Sequence, residues 1–259
     1  MGGVVDDEWD EAGARFVRGY ESLRGRVRTH VIDRHLAEHL PPPPARVVDV
    51  GGGDGTQSIP LARRGYDVTI ADPSPAMLDR ARAALDDEPA DVAGRVHLVR
   101  CAGEDAAAVL GSGFDGVLCH GVIVYVDDRE PFLDSLCGLA APGGVVSIVA
   151  KNVETLAVFP ALRGDWAGAL EAFDADRQVN GLGIDTRADR IDDLSTELAR
   201  RGVDPVAWYG VRLFSDGWLR GDPPDDPDDL VLAVELEASR RDPYRRLSRL
   251  FHLVGLRAA

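Results

Sequence analysis

The 259-residue chain is 45% hydrophobic and 28% charged, the composition of a soluble globular protein long enough to bury a substantial core. Its formal net charge of −15 counts against nucleic acid as a general partner, because neutralising phosphates requires a basic surface; the acids nonetheless cluster at 6–10, 86–88 and 222–229, and arginines at 15–28 and 240–249. No apolar run approaches the ~18 residues of a spanning helix, the acidic N-terminus is unlike a signal peptide, and Cys101, Cys119 and Cys137 are too widely spaced for a disulfide framework or a zinc site, so a cytoplasmic protein with reduced thiols and no membrane contact is expected.

Trp9, Ala12, Phe16, Val17 and Tyr20 predict a helix from residue 6 to about 20, and a second helix runs from Leu23 to Leu40 until four prolines, Pro41 to Pro44, stop it. His35 and His39 lie four apart there, as a metal pair would. No third ligand with a recognisable spacing follows, so no metal is expected and the pair reads as surface or partly buried helix histidines. An apolar run (Val47, Val48, Val50) with Asp49 near its end then breaks into Gly51, Gly52, Gly53 and Gly55. A helical stretch (Ile59, Leu61, Ala62) and a second apolar run closing on Asp72 complete a strand, glycine turn, helix and strand. Glycines let the chain turn sharply and let a ligand approach, the helix start offers unpaired N–H groups, and an acid ending the second strand can accept hydrogen bonds from both hydroxyls of a ribose. Thr56 stands where a dinucleotide fingerprint requires glycine. Asp49 and Asp54 place negative charge that opposes a pyrophosphate but suits a sulfonium cation and its ammonium group.

Pro73-Ser74-Pro75 opens a helix through Met77, Leu78, Ala81 and Leu85, and Arg95 to Cys101 reads as the third strand. Gly103-Glu104-Asp105 leads into a short helix ending at Leu110. Phe114 to Cys119 is the fourth strand and ends in His120-Gly121. Ligands of open α/β sheets bind beyond the carboxyl ends of the strands, so His120 should point at cofactor or substrate, although such turns also carry histidine for structural reasons. A helix from Asp128 to Ala140, a turn at Pro142-Gly143-Gly144 and a fifth strand from Val145 to Ala150 continue the alternation. Residues 151–186 interrupt it, with one apolar helix-like stretch (Val153, Leu156, Val158, Phe159, Leu162, Trp166, Leu170, Phe173) and a loop at 178–183, placed as a lid over the strand ends. A helix from Ala188 to Gly202, a strand from Pro205 to Phe214, an exposed loop over 216–229, a helix from Leu230 to Ser239, helical turns within 243–250 and a strand from Phe251 to Arg257 follow. The expected fold is α/β, a Rossmann-like doubly wound, mainly parallel seven-stranded sheet with N-terminal helices and an insertion after the fifth strand. Within a single domain, 1–44 form the helical layer, 45–150 the cofactor-binding half, 151–186 the insertion and 187–259 the C-terminal half of the sheet.

The pattern Asp49-x-Gly51-x-Gly53-x-Gly55 followed by Asp72 resembles the S-adenosylmethionine motif of class I methyltransferases. More closely, the chain resembles the tRNA wobble-uridine carboxymethoxyuridine methyltransferases. The segments VVDVGGGDG, IADPSPAMLDRA, RCAGED, LCHGVIVYV and LAAPGGVVSIV carry the resemblance, and GVRLFSD and DPYRRLSRLFHL are the more discriminating ones. It implies S-adenosylmethionine as cofactor and, as acceptor, the carboxylate of a carboxymethoxy group at the first anticodon position. Cofactor contacts are then implied at Arg28 for the methionine carboxylate, at the turn of Gly51, Gly52 and Gly53, at Asp72 for the ribose, at Gly103 and Glu104 for the adenosine region, at Asp105 for the adenine amino group unless it caps a helix, and at His120. A carboxylate acceptor is already ionised at neutral pH and needs no general base, but an arginine should hold it. Arg212 at the end of the sixth strand is the candidate, with an ordinary ion pair as its other reading. The insertion departs from the family, which tends to be basic there, by carrying Glu171, Asp174 and Asp176. Three functions are open: transfer to tRNA, transfer to a small carboxylate-bearing acceptor, or cofactor binding without catalysis.

Overall fold

The computed structural model describes residues 19–181, 183–216 and 229–259. Strands β1 (Arg46–Val50), β2 (Asp67–Asp72), β3 (Val96–Arg100), β4 (Phe114–His120) and β5 (Ala140–Lys151) are mutually parallel where they pair. β9 (Leu250–Arg257) runs antiparallel to β5, and β8 (Val203–Val211) antiparallel to β9. The sheet order is β3-β2-β1-β4-β5-β9-β8. The order reverses at β1, with β2 on one side and β4 on the other, and the crevice at such a reversal is where this kind of sheet binds ligands.

The central strands are covered on both faces, which is why they read as near-continuous valine runs: Val47, Val48 and Val50 are at most 1% exposed. On one face lies helix α1 (Leu23–His39), started by Ser22, whose Oγ accepts from the Gly25 N–H at 3.2 Å. Its Val27, Val31, Ile32 and Leu36 pack into the cluster of Val47, Val68, Ile70, Leu118, Val149 and Val254. Helices α2 (Ile59–Arg63), α3 (Pro75–Asp86), α4 (Ala90–Ala93) and α5 (Ala106–Leu110) follow β1, β2 and β3. The opposite face is covered by α6 (Arg129–Leu139) through Phe132, Leu133 and Leu136, and by α9 (Ile191–Arg200) through Leu194 and Leu198. Each such buried side chain contributes roughly 1.5–3 kcal/mol of transfer free energy.

The expected helix over 6–20 lies outside the described residues apart from Gly19 and Tyr20, as does the loop over 216–229 apart from its ends. The insertion is not one helix. A 3-10 turn (Val153–Thr155), α7 (Val158–Leu162) and α8 (Trp166–Ala172) succeed one another, and Asp165 restarts the helix by accepting the Gly168 N–H at 2.9 Å. The expected loop at 178–183 starts inside a strand instead: Gln178 and Val179 belong to β6 (Arg177–Val179), which pairs with β7 (Asp185–Arg187) in a hairpin whose strands are too short to leave an alternation in the sequence. The expected turn at 142–144 lies inside β5, as an irregularity where Phe114 pairs with Ala140 and Gly116 with Val145. The helix expected from Ala188 begins at Ile191, because the Ala188 and Asp189 N–H groups donate to Asp176 O (2.7 Å) and Lys151 O (2.8 Å). α10 (Asp229–Ala238) and a 3-10 turn (Tyr244–Leu247) precede β9. His35 is fully buried rather than at the surface, stacked on Tyr209 with ring centroids 3.8 Å apart, while His39 bonds the Tyr209 hydroxyl at 2.7 Å. Among the described residues no helix is long and apolar enough to cross a membrane.

Candidate active site

At the carboxyl end of β1 the chain turns at Gly51 with φ +73°, and a Cβ there would lie 2.4 Å from Val122 Cγ2. Only glycine fits both the conformation and the space. The Gly51 N–H donates to Ala71 O at 2.6 Å, tying the turn to the end of β2. Asp72, 7% exposed, follows. Its Oδ2 accepts the Gly53 N–H and its Oδ1 the Ser74 N–H, both at 2.9 Å, so two backbone amides fix the carboxylate beside the glycine turn. Asp49 is buried below the turn and accepts from the Ser58 hydroxyl. Burial pushes its carboxyl up to about 6 against the opposing Ser58 bond and Arg28.

Helix α1 brings Arg28 over the same crevice, buried and held by neutral groups. Its Nη1 donates to Tyr20 Oη (2.9 Å) and Gln57 Oε1 (3.1 Å), and its Nη2 to the His120 carbonyl (2.8 Å). Gln57 Nε2 is buried without a hydrogen-bond partner, and so is His120 Nδ1. The His120 imidazole faces the α1 side of the sheet, where Nε2 meets Ser147 Oγ at 2.8 Å, and burial holds its pKa well below the usual histidine range. The structure therefore gathers Arg28, Gly51, Gly52, Gly53, Asp72 and His120 around the end of β1. Gly103, Glu104 and Asp105 form a 3-10 turn after β3. The two acids are exposed, and the Asp105 side chain makes no capping hydrogen bond to the helix that follows.

Arg212 lies elsewhere on the edge, just beyond β8, at φ +64°, and it is the non-glycine residue with positive φ among the described residues. Its Nη2 donates to Asp216 Oδ1 at 2.6 Å, so the ion pair exists, but its Nε is buried and unpartnered. The Arg249 N–H donates to the Arg212 carbonyl at 3.1 Å. Arg249 Nη2 donates to Gln178 Oε1 at 2.8 Å, and its Nη1 is likewise buried and unpartnered. Lys151 ends β5 close by, with Nζ donating to Thr186 Oγ1 and to Gln178 O (3.2 Å) in the hairpin. Burial, then Arg249, brings its pKa down to about 8. The hairpin also reaches the turn after β4, where Asn180 Nδ2 donates to Tyr125 Oη at 3.0 Å. Sequence reasoning missed Gln57, Lys151 and Arg249. For Lys151 a signal existed: it is the chain's single lysine, and it stands at a strand's carboxyl end.

A model of the methyltransferase domain family matches residues 48–146, from β1 into β5. Over 257 residues the chain is 30% identical to the tRNA 5-carboxymethoxyuridine methyltransferase of Escherichia coli (strain K12), covering 97% of both. The chain belongs to that family of class I S-adenosylmethionine-dependent methyltransferases. This methyltransferase is also 32% identical over 151 residues to the ubiquinone biosynthesis O-methyltransferase of Methylobacterium nodulans, covering 56% of this chain and 58% of that one. Its fold matches the magnesium protoporphyrin IX methyltransferase of Synechocystis PCC 6803 with bound SAH at a TM-score of 0.66 and 16% identity, over 98% and 99% of the two chains. S-adenosylmethionine is its cofactor.

Proposed function

We propose that this methyltransferase esterifies a carboxylate, that of a carboxymethoxy group on the wobble uridine of tRNA, with the methyl group of S-adenosylmethionine. The observation that carries the reading is the group of Lys151, Arg212 and Arg249 at the carboxyl edge, where, among the described residues, two buried guanidinium nitrogens lack partners and Asp216 is the acid in contact. Like charges crowded in a buried place favour an anion as ligand. The near-full-length similarity to the E. coli enzyme supplies the identity of that anion.

The cofactor supplies an activated methyl group, which a nucleophile takes by in-line displacement at the sulfonium. The protein's part is binding and alignment. Arg28 and the unpartnered Gln57 Nε2 are donors suited to the methionyl carboxylate, Asp72 is an acceptor suited to the ribose hydroxyls, and Glu104 and Asp105 stand beyond β3 for the adenine. Arg212 and Arg249 hold the accepting carboxylate. It is ionised at neutral pH, so no side chain has to remove a proton. The insertion, pinned through Lys151 and Asn180, serves as the lid.

Mass spectrometry of tRNA nucleosides from cells with and without the protein tests the reading. The methyl ester of carboxymethoxyuridine should disappear and the free acid accumulate when the protein is absent; unchanged nucleosides would overturn it. A second reading, a small carboxylic acid as acceptor, is favoured by the net charge of −15 and the acids of the insertion. It expects unchanged nucleosides and turnover of S-adenosylmethionine with a small acid.

A further inference from the structure

Beneath the site a file of buried polar side chains crosses the core: Ser239 on the turn after α10, His35 on α1, His252 on β9, Ser147 on β5 and His120 on β4. All but His120 are at most 1% exposed, and His120 is 7% exposed. The links are Ser239 Oγ to His35 Nε2 (2.9 Å), His35 Nδ1 to His252 Nδ1 (3.2 Å), His252 Nε2 to Ser147 Oγ (2.7 Å) and Ser147 Oγ to His120 Nε2 (2.8 Å). The methyl-transfer chemistry uses none of the first four.

The proton positions follow from one end. The Ser239 hydroxyl donates its single hydrogen to Leu236 O at 2.6 Å, so Ser239 Oγ must accept from His35 Nε2–H. A neutral His35 then has a lone pair on Nδ1 and accepts from His252 Nδ1–H. His252 in turn has its lone pair on Nε2 and accepts the Ser147 hydroxyl, and Ser147 Oγ accepts His120 Nε2–H. His120 is left with a lone pair on Nδ1, the atom that is buried without a partner. Reversing every bond would deprive Leu236 O of its donor and leave a buried N–H on His120 Nδ1 with no acceptor, the costlier defect. Ionised forms are excluded because burial, reinforced for His35 by the neighbouring imidazole, lowers His35 to about 2 and His252 to about 3.

We propose that Ser239, His35, His252 and Ser147 are positioning residues, a one-directional hydrogen-bond file that fixes His120 as the neutral Nε2–H tautomer so that its Nδ1 accepts from the α-ammonium group of the cofactor. The direction matters because of what stands beside it. The His120 carbonyl is bonded to Arg28, the cation suited to the methionyl carboxylate, and the ammonium is the donor that the same end of the ligand carries. A lone pair completes a zwitterion site there, whereas an N–H at Nδ1 would oppose it. The inference rests on the cofactor reading of this crevice.

The test is the histidine tautomer read by two-bond 1H–15N correlation spectra of the full-length protein, together with calorimetric titration of S-adenosylhomocysteine, which retains the methionyl end. In the wild type His120 should show a protonated Nε2 and an unprotonated Nδ1. Ser147→Ala should convert it to a mixture and weaken S-adenosylhomocysteine by about two- to five-fold, the factor set by the fraction left competent. Ser147→Thr, which keeps the hydroxyl, should restore both. Ser239→Ala, far from the crevice, should disturb the same His120 resonances, which a purely structural role would not do. Thermal melting of each variant shows whether it is folded. A wild-type His120 protonated at Nδ1, or folded Ser147→Ala and Ser239→Ala variants with an unchanged His120 pattern, overturns the proposal. A wild type with the expected tautomer that fails to bind S-adenosylhomocysteine would instead overturn the cofactor reading.

Discussion

Asp49 sits where its charge responds to what binds above it. Its pKa of about 6 reflects burial, offset by Ser58 and Arg28 and augmented by Asp72 and Asp54, so the folded protein holds more protons than the unfolded chain between the ordinary carboxyl value of 3.8 and about 6. Stability from this group is therefore lost as pH rises through that window. A cationic sulfonium favours the ionised form, so its binding should expel a proton below pH about 6. Calorimetry should show S-adenosylmethionine affinity rising with pH through about 6 and flat above it, S-adenosylhomocysteine less affected, and both profiles level in Asp49→Asn. Identical profiles for the two ligands would contradict the role. Arg212→Ala tests the contact with the acceptor. With a charge-assisted contact worth about 1.5–3 kcal/mol, transfer should drop by roughly 10- to 100-fold with cofactor affinity nearly intact, and equal loss of both would show that Arg212 is only an ion pair. Asp72 and the glycines were legible in the sequence because their geometry is local, one strand-turn-helix-strand unit. Gln57, Lys151 and Arg249 were not, since what defines them is the company they keep across 29, 35 and 71 residues of chain.

Elements were legible wherever burial imposes a period. The parallel strands announced themselves as valine runs, and the helices between them as apolar stripes that do face the core. The insertion misled for a physical reason: Trp166, Leu170 and Phe173, which suggest an inward stripe, are 72%, 73% and 76% exposed. That pattern records a surface, not a packing face. The turn between β1 and α2 allows a controlled comparison. Gly51 and Gly143 have nearly the same φ, +73° and +77°, but a Cβ at Gly51 collides with Val122 whereas one at Gly143 meets nothing within 4 Å. Gly143→Ala should therefore cost only the left-handed strain, about 1 kcal/mol, and leave cofactor binding alone. Gly51→Ala should cost more in thermal melting and should weaken S-adenosylhomocysteine by more than tenfold. Equal effects of the two substitutions on binding would remove the turn from the site.

A net charge of −15 opposes RNA unless positive charge is gathered where the substrate meets the protein. The C-terminal arginine cluster resembles a basic patch in sequence, yet the fold pairs it off: Arg240 with Glu38, Arg241 with Glu237, and Arg245 and Arg246 with Asp242. Exposed pairs of this kind are worth little in stability, but with three acids against four arginines they weaken the field a phosphate backbone would meet. Among the described residues net positive charge is instead gathered inward, at Lys151, Arg212 and Arg249 with Asp216 as the acid in contact, where it can recognise one carboxylate and not a run of phosphates. Under the proposed transfer to tRNA, recognition should then depend on the modified base more than on the backbone. The measurable consequence is a shallow salt dependence: KM for tRNA should rise with ionic strength with a log–log slope of about two to three, far below that of an enzyme with a basic stripe, since each phosphate neutralised adds about 0.7 to 0.9. tRNA lacking the carboxymethoxy group should compete poorly at every salt concentration. Neutralising the outer arginines, as in Arg245→Ala with Arg246→Ala, should lower that slope by less than one, whereas Arg249→Ala should abolish discrimination between modified and unmodified tRNA. A steep slope carried by the outer arginines would place recognition on the surface and leave the inner cations without a substrate to hold.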